Sequence, residues 1–219
     1  MVDQSRNATK TKYGLTRRDK QIILDLALKA RLMTGSQISH HYFSSKPQLA
    51  SRRLRFLLGK GWLTETTAVV PQPPTILKPL YRSEQEIETP DFLKLSKYFL
   101  ARARSRLMVK QSIVRASAKS LLLILGVKRS AKSPHHQIGH DIGMAEVILW
   151  LKRMSPIDYH HLVGEDSLSS NAFPGFLPDA IVRIGDRVHF VEFGGAYDVN
   201  RLRLIHESCT SLEVTYDLY

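Results

Sequence analysis

Apolar residues recur at near-helical spacing at Ile22, Ile23, Leu26, Ala27, Ala30 and Leu32, behind a threonine, Thr16, that is followed three residues later by Asp19. Thr-x-x-Asp is a capping box with Asp in place of Glu, and the pattern carries the helix it opens to about Met33. Thr34-Gly35 breaks it, and Ser36 to Phe43 forms a short second helix. A third starts at Ser44 or Ser45, with Pro47 in the first turn where a missing N–H does no harm, and runs to about Leu58 before the glycines of LGKGWL. Leu49, Leu54, Leu57 and Leu58 give that helix an inward face; Gln48, Ser51, Arg52 and Arg55 give it an outward one. TETTAVV and TILKPLYR, separated by PQPP, read as two strands of a ribbon.

Beyond the acidic stretch EQEIETPD, Phe92 to about Gly126 reads as one or two basic helices, with Lys110 the place for a break, and KRSAKSPHHQ as a loop. The last third reads helix (GHDIGMAEVILWLKRM), strand (YHHLVG), hairpin, helix (Asp198–Cys209) and strand (SLEVTYDLY). The hairpin is PDAIVRIGDRVHFVEFGG, with a two-residue Gly185-Asp186 turn. If Ile184 faces Arg187, then Ile181 faces Phe190 and Asp179 faces Glu192. Two carboxylates opposed at about 5 Å are destabilising unless a shared proton, a basic neighbour or a cation offsets them. The expected fold class is α/β in the α+β sense. A winged helix-turn-helix spans 14–83, a basic helical connector 84–134, and a small α/β domain 135–219. Residues 1–13, polar and basic, read as an arm.

Charge sharpens this picture because it is unevenly spread. Residues 1–63 carry 13 Lys/Arg and 3 acids, residues 92–140 carry 11 Lys/Arg and no acid, and residues 141–219 carry 6 Lys/Arg and 12 acids. Two basic blocks ahead of an acidic third imply a polyanion-binding front and a chemically different back. The expected partner is double-stranded DNA. Lys46, Gln48, Ser51, Arg52, Arg53 and Arg55 lie on or beside the third helix as contacts, Arg102 and Arg106 stand four apart on the connector, and the ribbon near Gln72 lies against the adjacent groove. The longest clean apolar run, Leu121–Leu125, is too short to span a bilayer, and a cytoplasmic location is expected. Cys209 stands alone, which excludes a disulfide within the chain. The histidine pairs lack zinc spacing and read as surface or hydrogen-bonded residues, while Trp62 and Trp150 read as core anchors.

A helix bearing Glu146, then Pro178-Asp179, then Glu192 two residues before Gly194, resembles the PD-(D/E)XK nuclease core without its lysine. That resemblance implies Asp179 and Glu192 as Mg²⁺ ligands, with Glu146 as a third catalytic candidate, while glycine cannot supply the lysine's charge. Lys152, Arg201 and Arg203 are the cations near enough in sequence to substitute. The front, LTRRDKQIILDLALKARLMTGSQISHHYFSSKPQLASRRLRFLLGKGWLTET, with the back, PDAIVRIGDRVHFVEFGGAYDVNRLRLIHESC…YDLY, is similar to replication-relaxation family plasmid proteins. The similarity covers about 15–219 and fits 92–130 least. It implies DNA binding in plasmid or mobile-element replication or DNA relaxation, beside a relaxase or replication initiator, with the back half a scaffold and no cofactor. The alternatives are a Mg²⁺-dependent DNA endonuclease and a winged-helix transcriptional regulator whose back half dimerises.

Overall fold

The computed structural model describes residues 14–84, 89–126, 137–169, 173 and 176–219. The expected arm and most of the loop at 128–137 lie outside the described residues. The fold is mixed α/β with two sheets. In chain order the elements are α1 (Arg17–Leu28), β1 (Met33–Thr34), α2 (Gly35–Phe43), α3 (Pro47–Gly59), β2 (Leu63–Pro71), β3 (Tyr81–Arg82) and α4 (Phe92–Ser105), followed by β4 (Met108–Ala116) and α5 (Ala118–Leu125). Then come α6 (Ile138–Met154), α7 (Pro156–His161), β5 (Leu162–Gly164), β6 (Ala180–Ile184), β7 (Arg187–Glu192), α8 (Val199–Ser211) and β8 (Thr215–Leu218).

The caps explain the first three helices. Thr16 and Asp19 exchange the reciprocal capping-box bonds, and Thr34 with Gln37 repeats the device at α2. Helix α1 ends at Leu28, five residues before the apolar pattern does. The remaining apolar residues are used differently: Met33 and Thr34 pair with Val114 and Ile113 as β1. Ser44 and Ser45 both take left-handed backbone angles between α2 and α3, and Lys46 is the N-cap before Pro47.

The largest correction concerns the ribbon. Strand β2 pairs not with TILKPLYR but with β4, from Leu63↔Ala116 to Pro71↔Met108. The segment expected to be a helical connector therefore supplies the central strand of a sheet ordered β1-β4-β2. Tyr81 and Arg82 instead pair with Leu218 and Asp217, at one edge of a sheet ordered β3-β8-β7-β6-β5. The chain leaves the first sheet after β2, builds an edge strand and α4 on the second, and returns as β4. Residues 14–83, 84–134 and 135–219 are thus interleaved rather than successive. YHHLVG is likewise divided, Tyr159–His161 closing α7 and only Leu162–Gly164 forming a strand.

The core follows this interleaving. Ile22, Leu26, Ile38, Leu57 and Val114 share one buried cluster with Val147, Ile148, Ala180, Val182 and Val191, so the front helices and α6 pack on one face of the second sheet. Ile181, Phe190, Tyr216 and Leu218 alternate to the other face and pack with Phe99 of α4 and with Leu202, Ile205 and Cys209 of α8. Trp62 and Trp150 are buried in the first cluster, as expected. Leu54 and Leu57 are buried, while Leu49 and Leu58 pack from its margin. Among the described residues no helix is long and apolar enough to cross a membrane.

Candidate nucleic-acid interface

The outward stripe of α3 is as the spacing predicts: Gln48, Ser51, Arg52 and Arg55 are exposed, with Lys46 just before the helix. Ser51 and Arg55 line one wall of a groove of about 720 Å³. Ser36, Ser39 and His40 of α2, Glu65 of β2 and Lys110, Gln111 and Ser112 of β4 line much of the remainder, so the groove holds one acid beside its two cations. Lys110 belongs to the segment expected to be helical, so only the strand pairing brings it to α3. Sequence reasoning missed it for that reason.

Three expected contacts lie elsewhere. Arg53 turns back to α1, where its guanidinium donates to both carboxylate oxygens of Asp19 and to the Gly14 carbonyl and stacks over Phe56 at 4.2 Å. Burial alone would raise the Asp19 carboxyl, but hydrogen bonds from Arg53 and Thr16 outweigh it and hold the group below its ordinary range. Arg102 donates to the carbonyls of Gly194 and Tyr219 and lies over the Phe193 ring at 4.5 Å. Burial lowers its pKa to about 10, which leaves it charged at neutral pH. Arg106 donates to the carbonyls of Gln72 and Gly139. Both arginines close loop carbonyls instead of facing a ligand. Arg106 in particular ties the far end of the β2–β4 ribbon to the start of α6.

The hairpin register is the expected one, Ile184↔Arg187 through Ala180↔Val191, and Gly185 takes the positive φ its turn requires. One step further out, the Asp179 N–H donates to Glu192 Oε1 and the Phe193 N–H to Asp179 Oδ2. Glu192 is 0% exposed, and its Oε2 accepts from the Tyr197 hydroxyl. Burial, with the nearby Asp179 carboxylate adding to it, pushes the Glu192 carboxyl well above its ordinary range. Asp179 in turn faces His140, whose Nε2 lies 3.1 Å from Asp179 Oδ2. Burial works against the imidazolium, but the carboxylates of Asp179 and Asp141 outweigh it and hold His140 well above its usual value. The repulsion is thus eased on both sides: burial favours the neutral form of Glu192, and the His140 imidazole, whose cationic form its carboxylate neighbours favour, sits against Asp179. His140 and Asp141 are the partners the sequence did not single out. Asp141 is buried, and among the described residues its Oδ2 has no hydrogen-bond donor.

Among the described residues no group of three His, Cys, Asp or Glu is arranged to hold a metal ion. Both Glu192 oxygens already accept hydrogen bonds, Asp179 Oδ2 is shared between an amide and an imidazole, and Glu146 points to the other flank of α6. There Glu146 meets Gln37 Nε2 at 3.0 Å and His41 Nε2 at 3.1 Å, joining α6 to α2. The cavity beside Asp141 and Asp179 is only about 30 Å³, room for a water or two. Of the substitute cations, Lys152 pairs with Asp25 and Arg203 is exposed, whereas Arg201, over the Phe176 and Tyr197 rings, is close enough to Glu192 for its charge to favour the ionised carboxylate. Gly194, where the lysine would stand, has a packing reason: a Cβ there would overlap the Phe99 ring of α4.

Two expected results follow. Gly194→Lys, which restores the missing residue of the nuclease pattern, displaces Phe99 and destabilises the protein by about 1–3 kcal/mol or more, read as a lower urea midpoint. Glu192→Gln retains the shape of the protonated acid. The native Glu192 holds its proton from the unfolded-state value, about 4.3, up to its raised folded value. Over that window the wild type therefore loses stability as pH rises. The melting temperature of Glu192→Gln should gain on the wild type as pH climbs through it; a difference independent of pH would mean that the buried carboxyl is already ionised.

Comparisons of the chain with protein-family models, with curated proteins and with solved structures return no match. Fold and site define the protein only as a mixed α/β protein whose two sheets share one core.

Proposed function

We propose that this chain binds duplex DNA through α3 in a winged-helix arrangement, with the back half serving as a non-catalytic scaffold. The observation that carries the reading is the exposed stripe Gln48, Ser51, Arg52 and Arg55 on α3, of which Ser51 and Arg55 line a groove that Lys110 closes from the ribbon. Order supports it: helix, short strand, two helices, then two long antiparallel strands, β2 and β4, with β3 and α4 inserted between them and β4 central. Gln48 is of a residue type that reads base edges bidentately, while Arg52 and Arg55, with Lys46 and Lys110, neutralise phosphates. Replication or relaxation of a plasmid or mobile element is the setting we propose, with a relaxase or replication initiator docking on the back half.

Fluorescence anisotropy on a mixed-sequence duplex across a salt series tests this. Binding should weaken linearly with log salt, and supercoiled plasmid should stay intact with Mg²⁺ present. No binding at low ionic strength would overturn the proposal, and Mg²⁺-dependent cleavage lost in Asp179→Ala would replace it with an endonuclease.

A further inference from the structure

We infer that the far end of the β2–β4 ribbon is an apolar wedge that opens a base step in the groove beside α3; this rests on the duplex-binding reading above. Val69, Leu107 and Met108 are 64%, 65% and 54% exposed at that end. Single exposed apolar residues are ordinary, but three large ones gathered at the end of one ribbon mark a contact surface. Val69 lies opposite Lys110 and Pro71 opposite Met108, so Val69 and Met108 share one ribbon face. Leu107 follows directly, its carbonyl accepting from the Gln72 N–H. The opposite face is already used, with Val70 and Ile113 buried against Leu32, Ile138 and Ile142.

Position and charge select DNA as the occupant. Lys110, on the same face, lines the groove with Arg55, so the apolar end continues the surface that α3 presents. Lys110 and, three residues before Leu107, Arg104 are exposed cations beside it. The ribbon's acid, Glu65, lines the same groove but lies toward the opposite end of the ribbon, opposite Val114, where its carboxylate accepts from the Ser112 hydroxyl. A surface for an apolar protein partner has no need of cations flanking it, whereas a wedge between stacked bases needs phosphates held on either side. It also needs a backbone that does not yield. Arg106 supplies this by bonding the carbonyls of Gln72 and Gly139, with the Pro71 ring packed against Gly139.

The test uses a duplex of roughly three helical turns with a central TpA step, 2-aminopurine beside that step and a donor–acceptor dye pair at its ends. The full chain should raise 2-aminopurine fluorescence and bring the ends closer, as for a kink within the usual range of about 20–90°. Val69→Ser/Leu107→Ser/Met108→Ser, and Met108→Ser alone should the triple variant misfold, should bind within about tenfold of wild type with the same salt slope but lose most of both signals. Wild-type binding without unstacking, or a serine variant as effective as wild type, overturns the wedge alone. So does a dimer, seen by light scattering, that the serine variant abolishes. No binding at all overturns the duplex-binding reading and the wedge with it.

Discussion

Asp25→Ala should lower stability by about 3–5 kcal/mol, the range for breaking a buried ion pair, or roughly 6–20 °C in melting temperature for a chain of this size. Asp25 is fully buried on α1 and accepts from four donors on four helices. The Tyr42 and Tyr159 hydroxyls lie at 2.5 Å, and Gln21 Nε2 and Lys152 Nζ at 3.0 Å. Burial lowers the Lys152 ammonium from its ordinary pKa, with Asp25 pulling the other way, and the ammonium lies 3.9 Å from the centre of the Tyr42 ring. Removing the carboxylate leaves two phenolic donors without their acceptor and the half-buried ammonium without its partner. Asp25→Asn keeps the volume and one acceptor oxygen, so its loss should be smaller, about 1.5–3 kcal/mol. Adding Lys152→Met to Asp25→Ala should recover part of the stability by removing the unpaired charge. Urea unfolding of the four proteins checks this, and a loss below 1 kcal/mol in Asp25→Ala would show that the network yields to water.

Arg52→Ala/Arg55→Ala should weaken duplex binding on the order of 10²-fold at about 0.1 M salt and flatten the log–log salt dependence by about 1.8, at about 0.9 for each phosphate released. Both side chains are exposed on α3, so the fold should be undisturbed. Arg53→Ala is the contrasting control on the same helix. Its guanidinium is held by Asp19, which is fully buried, so the variant should keep the salt slope and lose about 2–3 kcal/mol of stability. Asp19 is held below its ordinary range, so its contribution is present above the unfolded value of about 3.9 and is lost as pH falls through the lower folded value. Without Arg53 only burial and the cap remain, and acid unfolding should begin at a higher pH. Equal loss of affinity in Arg53→Ala and Arg52→Ala would mean that the cationic face acts only through net charge.

Much of the local structure was legible. The capping box at Thr16, the turn at Gly185-Asp186, the strand register around it and the exposed stripe of α3 all follow from interactions spanning a few residues. The acidic hairpin was legible as a problem but not as its solution. Opposed carboxylates follow from the register, whereas the proton on Glu192 follows from burial, and the cation on Asp179 comes from His140, thirty-nine positions earlier in the chain. Arginines were the least legible, because an identical side chain is free at Arg55 and internally bonded at Arg53, Arg102 and Arg106.

By itself the sequence determined about where the first three helices start, which of their faces are apolar, how the hairpin pairs and how charge divides along the chain. Each of these depends on neighbours within a turn or two, or on composition alone. Only the tertiary structure decided that β4, not TILKPLYR, completes the first sheet, and that Lys110 stands across from Arg55. It also decided that Phe99 fills the place a lysine would need at residue 194. The physical reason is the same throughout: strand pairing and burial join residues far apart in sequence, and periodicity fixes a segment's shape without naming its partner.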